Sequence, residues 1–429
     1  MRQAGPLGEV WVYIKSLGPG LIVGAADDDP SGIGTYAQTG AQFGYAQLWT
    51  SVLCLPLMIA IQEICARIAL QTGQSLTQNM RRHYPRWIMY SCVGLLFIAN
   101  TVNIGADLGA MAASAKMLLA LPYLVWLLAI TAVIVVLQVT VPYPTYARFL
   151  RYATLSLFAY ILVAFWAKLD WHQALRSTFV PLIRFDGNYL MNIVAILGTT
   201  ITPYCFFWQA DQEVEEEIAE GKTTAKSRIG TNAVALKWMR SDVVSGMVFS
   251  QIACWFIIAT TAATLHVHGI TDIDSAPKAA EALRPLAGNL AYLLFAAGII
   301  GTGLLAVPIL AGSAAYAASQ SFRIRASLSL DWPHARIFYG VIALATGIGM
   351  SLNFIGINPM KALYYSAVLN GIIAPPLMVI IMLIGGNHRI MKGSTNRGWS
   401  KVVGWAAAGI MTVAALAMGL QLLTGHGGQ

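Results

Sequence analysis

The sequence predicts an all-α membrane protein of about eleven transmembrane helices, and three observations predict it. Only 11% of the 429 residues are charged, 57% are hydrophobic, and the mean hydropathy is +0.63; soluble domains carry about 25% charged residues. Apolar stretches of about 20 residues, the length that crosses a bilayer, recur from one end of the chain to the other. Two of them, the first and the sixth, are interrupted at their centres by polar residues and a proline. No polar region is long enough to be a soluble domain, so the chain reads as one membrane-embedded unit in contact with lipid.

In chain order the spans fall near residues 14–41 (interrupted), 46–70, 87–113, 122–141, 149–167, 190–218 (interrupted), 243–265, 288–318, 336–355, 359–384 and 402–423. Loop charge orients them. All but seven of the 27 lysines and arginines fall on one side, the exceptions being Lys116, Lys168, Arg176, Arg184, Lys278, Arg284 and Lys361. Cytoplasmic loops collect Lys and Arg, which places the N-terminus inside and, across an odd number of spans, the C-terminus outside. The net charge of +8 is thus loop charge and not a nucleic-acid footprint. No cleavable signal peptide is visible. The cysteines Cys54, Cys65, Cys92, Cys205 and Cys254 lie in apolar segments without CxxC spacing and read as buried thiols.

The first interruption reads Asp27-Asp28-Asp29-Pro30-Ser31-Gly32. A charged residue at the bilayer centre costs roughly 2.5 kcal/mol or more, so three adjacent carboxylates mark an ion or substrate path and not packing. Pro30 lacks an amide proton and Gly32 tolerates unusual dihedrals, so the helix breaks here. Freed carbonyls beside carboxylates make an oxygen-rich cation site. The sixth span repeats the pattern in neutral form, Gly198-Thr199-Thr200-Ile201-Thr202-Pro203-Tyr204. Broken helices five spans apart run in opposite directions, so spans 1–5 and 6–10 read as inverted repeats with a substrate site between the breaks.

Other polar residues within spans carry weaker signals. Asp107 in the third span is either a proton or ion relay or a carboxylate paired with a neighbouring helix. Asn370 in the tenth is an oxygen ligand or, the commoner case, an interhelical hydrogen-bonder. Glu63 and Arg67, at i and i+4, read as an internal ion pair. The run Asp211, Glu213, Glu215, Glu216, Glu217 and Glu220 after the sixth span would draw cations into a vestibule or form a solvated helix end. Asp211, closest to the break, is the member expected to face the vestibule.

At its breaks the chain resembles the NRAMP family of divalent-metal transporters. The resemblance rests on Gly18-Pro19-Gly20 entering the first span, Asp29-Pro30 at its break and Thr202-Pro203-Tyr204 at the second. Order, span count and break positions match over nearly the whole chain. It implies a LeuT-type (APC) fold, with residues 14–167 and 190–384 as the two five-helix repeats and 402–423 as an extra eleventh helix. The family's first motif, Asp-Pro-Gly-Asn, corresponds here to Asp29, Pro30, Ser31 and Gly32, so the aspartate stays and the asparagine oxygen is lost. The second motif, Met-Pro-His, corresponds to Thr202, Pro203 and Tyr204. A soft thioether, which favours transition metals, is thereby replaced by a hard hydroxyl. Matching the family's backbone ligands points to the carbonyls of Ala26 and Thr199.

The family's proton path uses acids in the third span and histidines in the sixth. Asp107 matches one acid, Ala110 stands in place of another, and Tyr204 and Gln209 replace the histidines. Neither replacement titrates near neutrality. The pattern resembles the divergent NRAMP-related magnesium transporters.

The sequence thus leads to a monomeric transporter of Mg²⁺, also passing Mn²⁺, in a bacterial inner membrane. It works by alternating access without obligatory proton coupling and without a resident cofactor. Asp29 is the main metal ligand, joined by Thr202, Ala26 and Thr199, with Asp27 or Asp28 in outer-sphere contact; Gly32, Tyr204, Gln209, Asp107, Asn370 and Asp211 line the site or its path. Proton-coupled Mn²⁺/Fe²⁺ symport is the alternative. An amino-acid carrier of the same fold is opposed by the three aspartates. The chain is not expected to be an enzyme: it contains no HExxH, no GxSxG and no Walker A sequence.

Overall fold

The computed structural model describes residues 18–141, 158–166, 169–284, 288, 291–330 and 332–424. Among these, every regular element is helical. Lys15, Arg148, Arg151, Lys168 and the 149–157 part of the expected fifth span lie outside the described residues, as does Arg2.

Both interruptions are breaks. The first span consists of α1 (Pro19–Asp27) and α2 (Pro30–Phe43). A residue before proline is driven out of the helical region, and Asp29 accordingly adopts φ −66°, ψ 173°. Pro30 then starts α2, where its missing N–H costs nothing. After α3 (Trp49–Thr72), α4 (Leu76–His83), α5 (Arg86–Leu118), α6 (Tyr123–Thr140), α7 (Phe158–Trp166) and α8 (Trp171–Phe179), the same device recurs. Helix α9 (Gly187–Thr200) stops, Thr202 is extended at φ −85°, ψ 137°, and Pro203 opens α10 (Pro203–Ala219). Proline alone does not suffice. Pro56 in α3 and Pro308, Pro375 and Pro376 in later spans sit inside unbroken helices.

The remaining elements are α11 (Ala233–Thr264), α12 (Ala276–Ala280), α13 (Ala291–Ser321), α14 (Arg336–Leu352), α15 (Pro359–Gly386), α16 (His388–Met391) and α17 (Gly398–Thr424). Nine helices among the described residues are long and apolar enough to span a bilayer, counting α9 with α10 as one. The broken first span and the partly described fifth complete the expected order. Two spans exceed a predicted bound by five residues or more. Helix α5 runs on to Leu118, and α11 starts about ten residues early, where Asn232 caps Ala235 N at 2.8 Å. Lys237, Arg240 and Asp242 make that first stretch polar, so hydropathy does not register it.

The broken spans form the centre. Helix α1 packs on α11, α2 on α11 and α15, α9 on α15, and α10 on α3 and α13, with α5 and α13 packed along each other beside them. Several contacts are backbone on backbone, two of them at the broken spans' own glycines Gly24 and Gly198. A Cβ on Gly24 would stand 2.2 Å from the Gly246 carbonyl oxygen, and one on Gly198 would stand 2.1 Å from that of Ala367. With Gly20, Gly24 makes a small-xxx-small stripe that lets α1 press against α11. Helices α6 and α17 are peripheral and turn apolar side chains outward, among them Leu128, Val133 and Val136, and Val413, Leu416 and Leu420. These are lipid-facing surfaces by composition. All five cysteines are buried free thiols, as expected. Arg67 bonds Glu63 at 3.2 Å, and Arg240 reaches the same carboxylate at 3.0 Å.

Candidate metal site between the two helix breaks

The three aspartates are sealed inside the protein, Asp27 1% and Asp28 and Asp29 0% exposed. Their partners differ, with Ser250 common to two of them. The Asp29 carboxylate caps its own helix: Oδ1 accepts from Gly32 N at 2.7 Å and from Ser31 Oγ at 2.6 Å, and Oδ2 accepts from Asn103 Nδ2 of α5 at 2.8 Å. Asp27 points across to the second break. Its Oδ1 accepts from Thr202 Oγ1 at 3.3 Å and from Cys205 Sγ at 3.8 Å, and Oδ2 accepts from Ser250 Oγ of α11 at 3.1 Å. Asp28 has one weak partner, Ser250 Oγ at 3.4 Å, and its Oδ2 accepts from nothing.

The second break supplies neutral oxygens. Thr202 precedes α10 but does not cap it; its hydroxyl goes to Asp27. Thr199 Oγ1 lies 3.3 Å from Ser31 Oγ, which links it to Asp29. Tyr204 donates its hydroxyl to the Ala26 carbonyl at 2.7 Å, so one lone pair of that expected ligand is already engaged. At Gly32 the two breaks leave little space. A Cβ there would stand 3.2 Å from the Asp27 carbonyl oxygen and 3.4 Å from Thr199 Oγ1.

The path residues divide. Asp107 is fully buried on α5, one turn beyond Asn103, and among the described residues neither of its carboxylate oxygens has a hydrogen-bond partner. Gln209 donates to Glu213 Oε1 at 2.8 Å. Asn370 is buried on α15, and among the described residues its amide nitrogen donates to no partner on another helix. Asp211 does not face an open vestibule. It is 2% exposed and accepts from Gln320 Nε2 of α13 at 2.7 Å. The acidic run is a solvated helix end only in part: Asp211, Glu213 and Glu217 are buried where α10 packs along α3 and α13, while Glu216 and Glu220 are exposed.

Four residues escape sequence reasoning. Asn103 and Ser31 hold Asp29, Ser250 is shared by Asp27 and Asp28, and Asp242 ties the start of α1 to α11. Two left a trace: Ser31 stands within the first interruption, and Asn103 is four residues before Asp107 and hence on its face of the helix. Asp242 substitutes for a missing cap. Gly18 has no side chain to offer the start of α1, and Asp242 Oδ1 and Oδ2 accept from Gly18 N, Gly20 N and Leu21 N at 2.9, 2.6 and 3.2 Å. A carboxylate at a helix N-terminus is favourable by both hydrogen bonding and dipole. It holds α1 against α11 at the face that carries the arginine-rich loops. On the opposite face, a cavity of about 280 Å³ opens between α2, α9 and α15, lined by Gly34, Gln38, Asn188, Asp272, Lys361 and Tyr365 among others. Gly34 is five residues from Asp29, about 7.5 Å of helical rise.

The arrangement leaves several buried oxygens without donors: Asp28 Oδ2, Asn103 Oδ1 and both oxygens of Asp107. Buried acceptors of this kind call for a proton, a water or a cation. Among the described residues, no three His, Cys, Asp or Glu side chains converge to cage a bare ion. A cation here would therefore meet few protein ligands and many hard oxygens.

Two broken helices set face to face, each broken at an X-Pro step and surrounded by continuous spans, define an integral membrane protein of the LeuT-type transporter fold. Solved structures agree. The manganese transporter of Eremococcus coleocola superimposes with a TM-score of 0.74 at 16% identity, covering 97% of this chain and 88% of that one. Mhp1, a nucleobase-cation-symport-1 family transporter in a closed conformation, superimposes with a TM-score of 0.57 at 13% identity, covering 95% and 93%. The family model "Natural resistance-associated macrophage protein-like" (Nramp) matches residues 20–421, and the chain belongs to that family. Among similar proteins are the divalent metal cation transporters MntH of Klebsiella pneumoniae, 25% identical over 93% of this chain and 92% of that protein, and of Deinococcus radiodurans, 25% identical over 95% and 90%.

Proposed function

We propose that the protein is a divalent metal cation transporter that carries Mg²⁺, and also Mn²⁺, by alternating access without obligatory proton coupling. One observation carries this reading: buried aspartates between the two breaks, surrounded by hydroxyls, amides and carbonyls, with some oxygens left unpartnered. Mg²⁺ dehydrates reluctantly and takes one or two carboxylates while keeping waters. Asp29 is the inner-sphere ligand, with Thr202 and the Ala26 and Thr199 carbonyls completing the shell. Asp27 and Asp28 hold waters of the hydrated ion. The soft donor nearest the aspartates is Cys205, whose thiol is directed at Asp27.

In this reading residues 14–167 and 190–384 are the two repeats that rock against each other, the arginine-rich face is cytoplasmic, and Asp242 is a latch of the inner gate. The ion enters from the cavity beside Gly34 and leaves once α1 swings from α11. Release requires breaking the three bonds to Asp242, so gate opening is coupled to the helix that carries Asp27.

A second reading keeps proton-coupled Mn²⁺/Fe²⁺ symport, and one observation favours it. Asp107 keeps both oxygens unpartnered one turn from the amide that binds Asp29, as a proton relay would. Purified protein in liposomes with a pH-sensitive dye inside separates the two. Mg²⁺ influx with an unchanged luminal pH is the expected result. Acidification that accompanies metal entry would overturn the uncoupled mechanism.

A further inference from the structure

On the basic face lies a second cavity, of about 400 Å³, distinct from the aspartate site in its residues and its chemistry. Four arginines line it: Arg81 and Arg82 from the last turn of α4, Arg228 from the α10–α11 connection and Arg323 just beyond α13, together with Gln74 and Gln78. Among the described residues, no carboxylate lines it. Loop arginines that serve only to orient a membrane protein have no reason to converge. These come from three separate connections onto one concave surface.

None of the four forms an ion pair among the described residues, whereas nearby acids are already engaged: Lys222 pairs with Glu217 at 3.1 Å and with Glu220 at 3.3 Å. Arg228 is built in. It is 8% exposed and fixed by its Nε on the Gly73 carbonyl at 3.2 Å and its Nη1 on the Lys222 carbonyl at 2.9 Å. Arg323 is held at φ 61°, a left-handed conformation uncommon for a residue with a Cβ. The guanidinium of Arg81 is held below its ordinary pKa by burial and by the charge of Arg323. The fold thus gathers mutually repelling cations around a space that no carboxylate among the described residues lines; Glu215 and Glu217 act on Arg228 from behind it.

We propose that this cavity binds a polyanion bearing at least two phosphate groups. Guanidinium groups match phosphate oxygens in paired, charge-assisted hydrogen bonds, and a space of this size accommodates a small ligand. The occupant would join α4, the α10–α11 connection and the end of α13 across the basic face. That position bears on the transport path. Arg81 also donates to the Gln320 carbonyl, Ser75 donates to the Gln320 side-chain oxygen, and the Gln320 amide holds Asp211 on the second broken helix. A bound polyanion would steady this chain of contacts and with it the closed basic face.

Both a soluble phosphate compound and a lipid headgroup carry this chemistry. Purified protein in metal-free buffer is titrated with pyrophosphate by calorimetry. In parallel, its melting temperature is compared in nanodiscs of phosphatidylcholine alone and of phosphatidylcholine with cardiolipin. Two variants accompany the wild type. One is the double substitution of the exposed pair, Arg82→Gln with Arg323→Gln. The other is Gln78→Glu, which places a carboxylate in the cavity and preserves the capping box that Gln78 forms with Ser75. The expected result is saturable binding or a raised melting temperature that weakens about tenfold or more for each arginine removed, and that is lost in Gln78→Glu. A response to pyrophosphate assigns the site to soluble phosphates, and a response to cardiolipin alone assigns it to the lipid. No response to either in the folded wild type, or an equal response in the Gln78→Glu protein, would overturn the proposal.

Discussion

The two helix breaks share one backbone device and differ in what their side chains do with it. Both place an extended residue before a proline that starts the next helix. At the first, Asp29 satisfies its own helix and binds Asn103. At the second, Thr202 leaves its helix uncapped and sends its hydroxyl to Asp27. The first break therefore holds the charge and is self-supporting. The second is neutral and defers to the first. The backbone breaks bring the two halves together, and their side chains decide which half carries charge and which half turns toward it.

That asymmetry is open to test, beginning with the largest effect. Asp29→Ala removes the proposed inner-sphere ligand and the cap of α2 together. Metal flux into liposomes should fall by more than the roughly 100-fold upper figure for losing an outer-shell partner. Flux close to that of the wild type would move the site away from the first break. Next, Gly24→Ala drives a methyl into the Gly246 carbonyl, and overpacking of this kind costs about 1–3 kcal/mol. A lower melting temperature is expected, and an unchanged one would mean that α1 is not pressed against α11.

Asp242→Asn keeps the shape of the latch but removes its charge. A helix N-cap contributes about 1 kcal/mol, so amide exchange across residues 19–27 should speed up several-fold, read by mass spectrometry. Exchange at the wild-type rate would show that Asp242 does not hold the gate. Smallest is Thr202→Ala, which removes one long hydrogen bond to Asp27, of about 1 kcal/mol at most. Transport should weaken by less than about tenfold. A loss as large as that of Asp29→Ala would reverse the ranking of the two breaks.

Much of the fold was legible because it is written locally. Span length follows from runs of apolar residues, and both breaks follow from a proline beside polar residues within such a run. Pro56, Pro308, Pro375 and Pro376 mark the limit of that rule, since their helices continue through them. The aspartates were legible because carboxylates within a span demand a reason. Their partners were not. Asn103, Ser250 and Asp242 act on residues 74 to 224 positions away, and nothing local distinguishes Ser250 from any other serine in a helix. Asp211 shows the converse error. Proximity in sequence to the break suggested an open vestibule, whereas Gln320, 109 residues on, encloses it.

A hydrated Mg²⁺ ion bound at the first break is the central claim. Calorimetric titration of the purified protein with Mg²⁺, Mn²⁺ and Ca²⁺, repeated on Asp29→Ala, tests it most directly. Mg²⁺ and Mn²⁺ are expected to compete for one site, Ca²⁺ to compete poorly, and the site to be lost with Asp29. Mn²⁺ binding that Mg²⁺ does not displace, or Mg²⁺ binding that survives in Asp29→Ala, would contradict it.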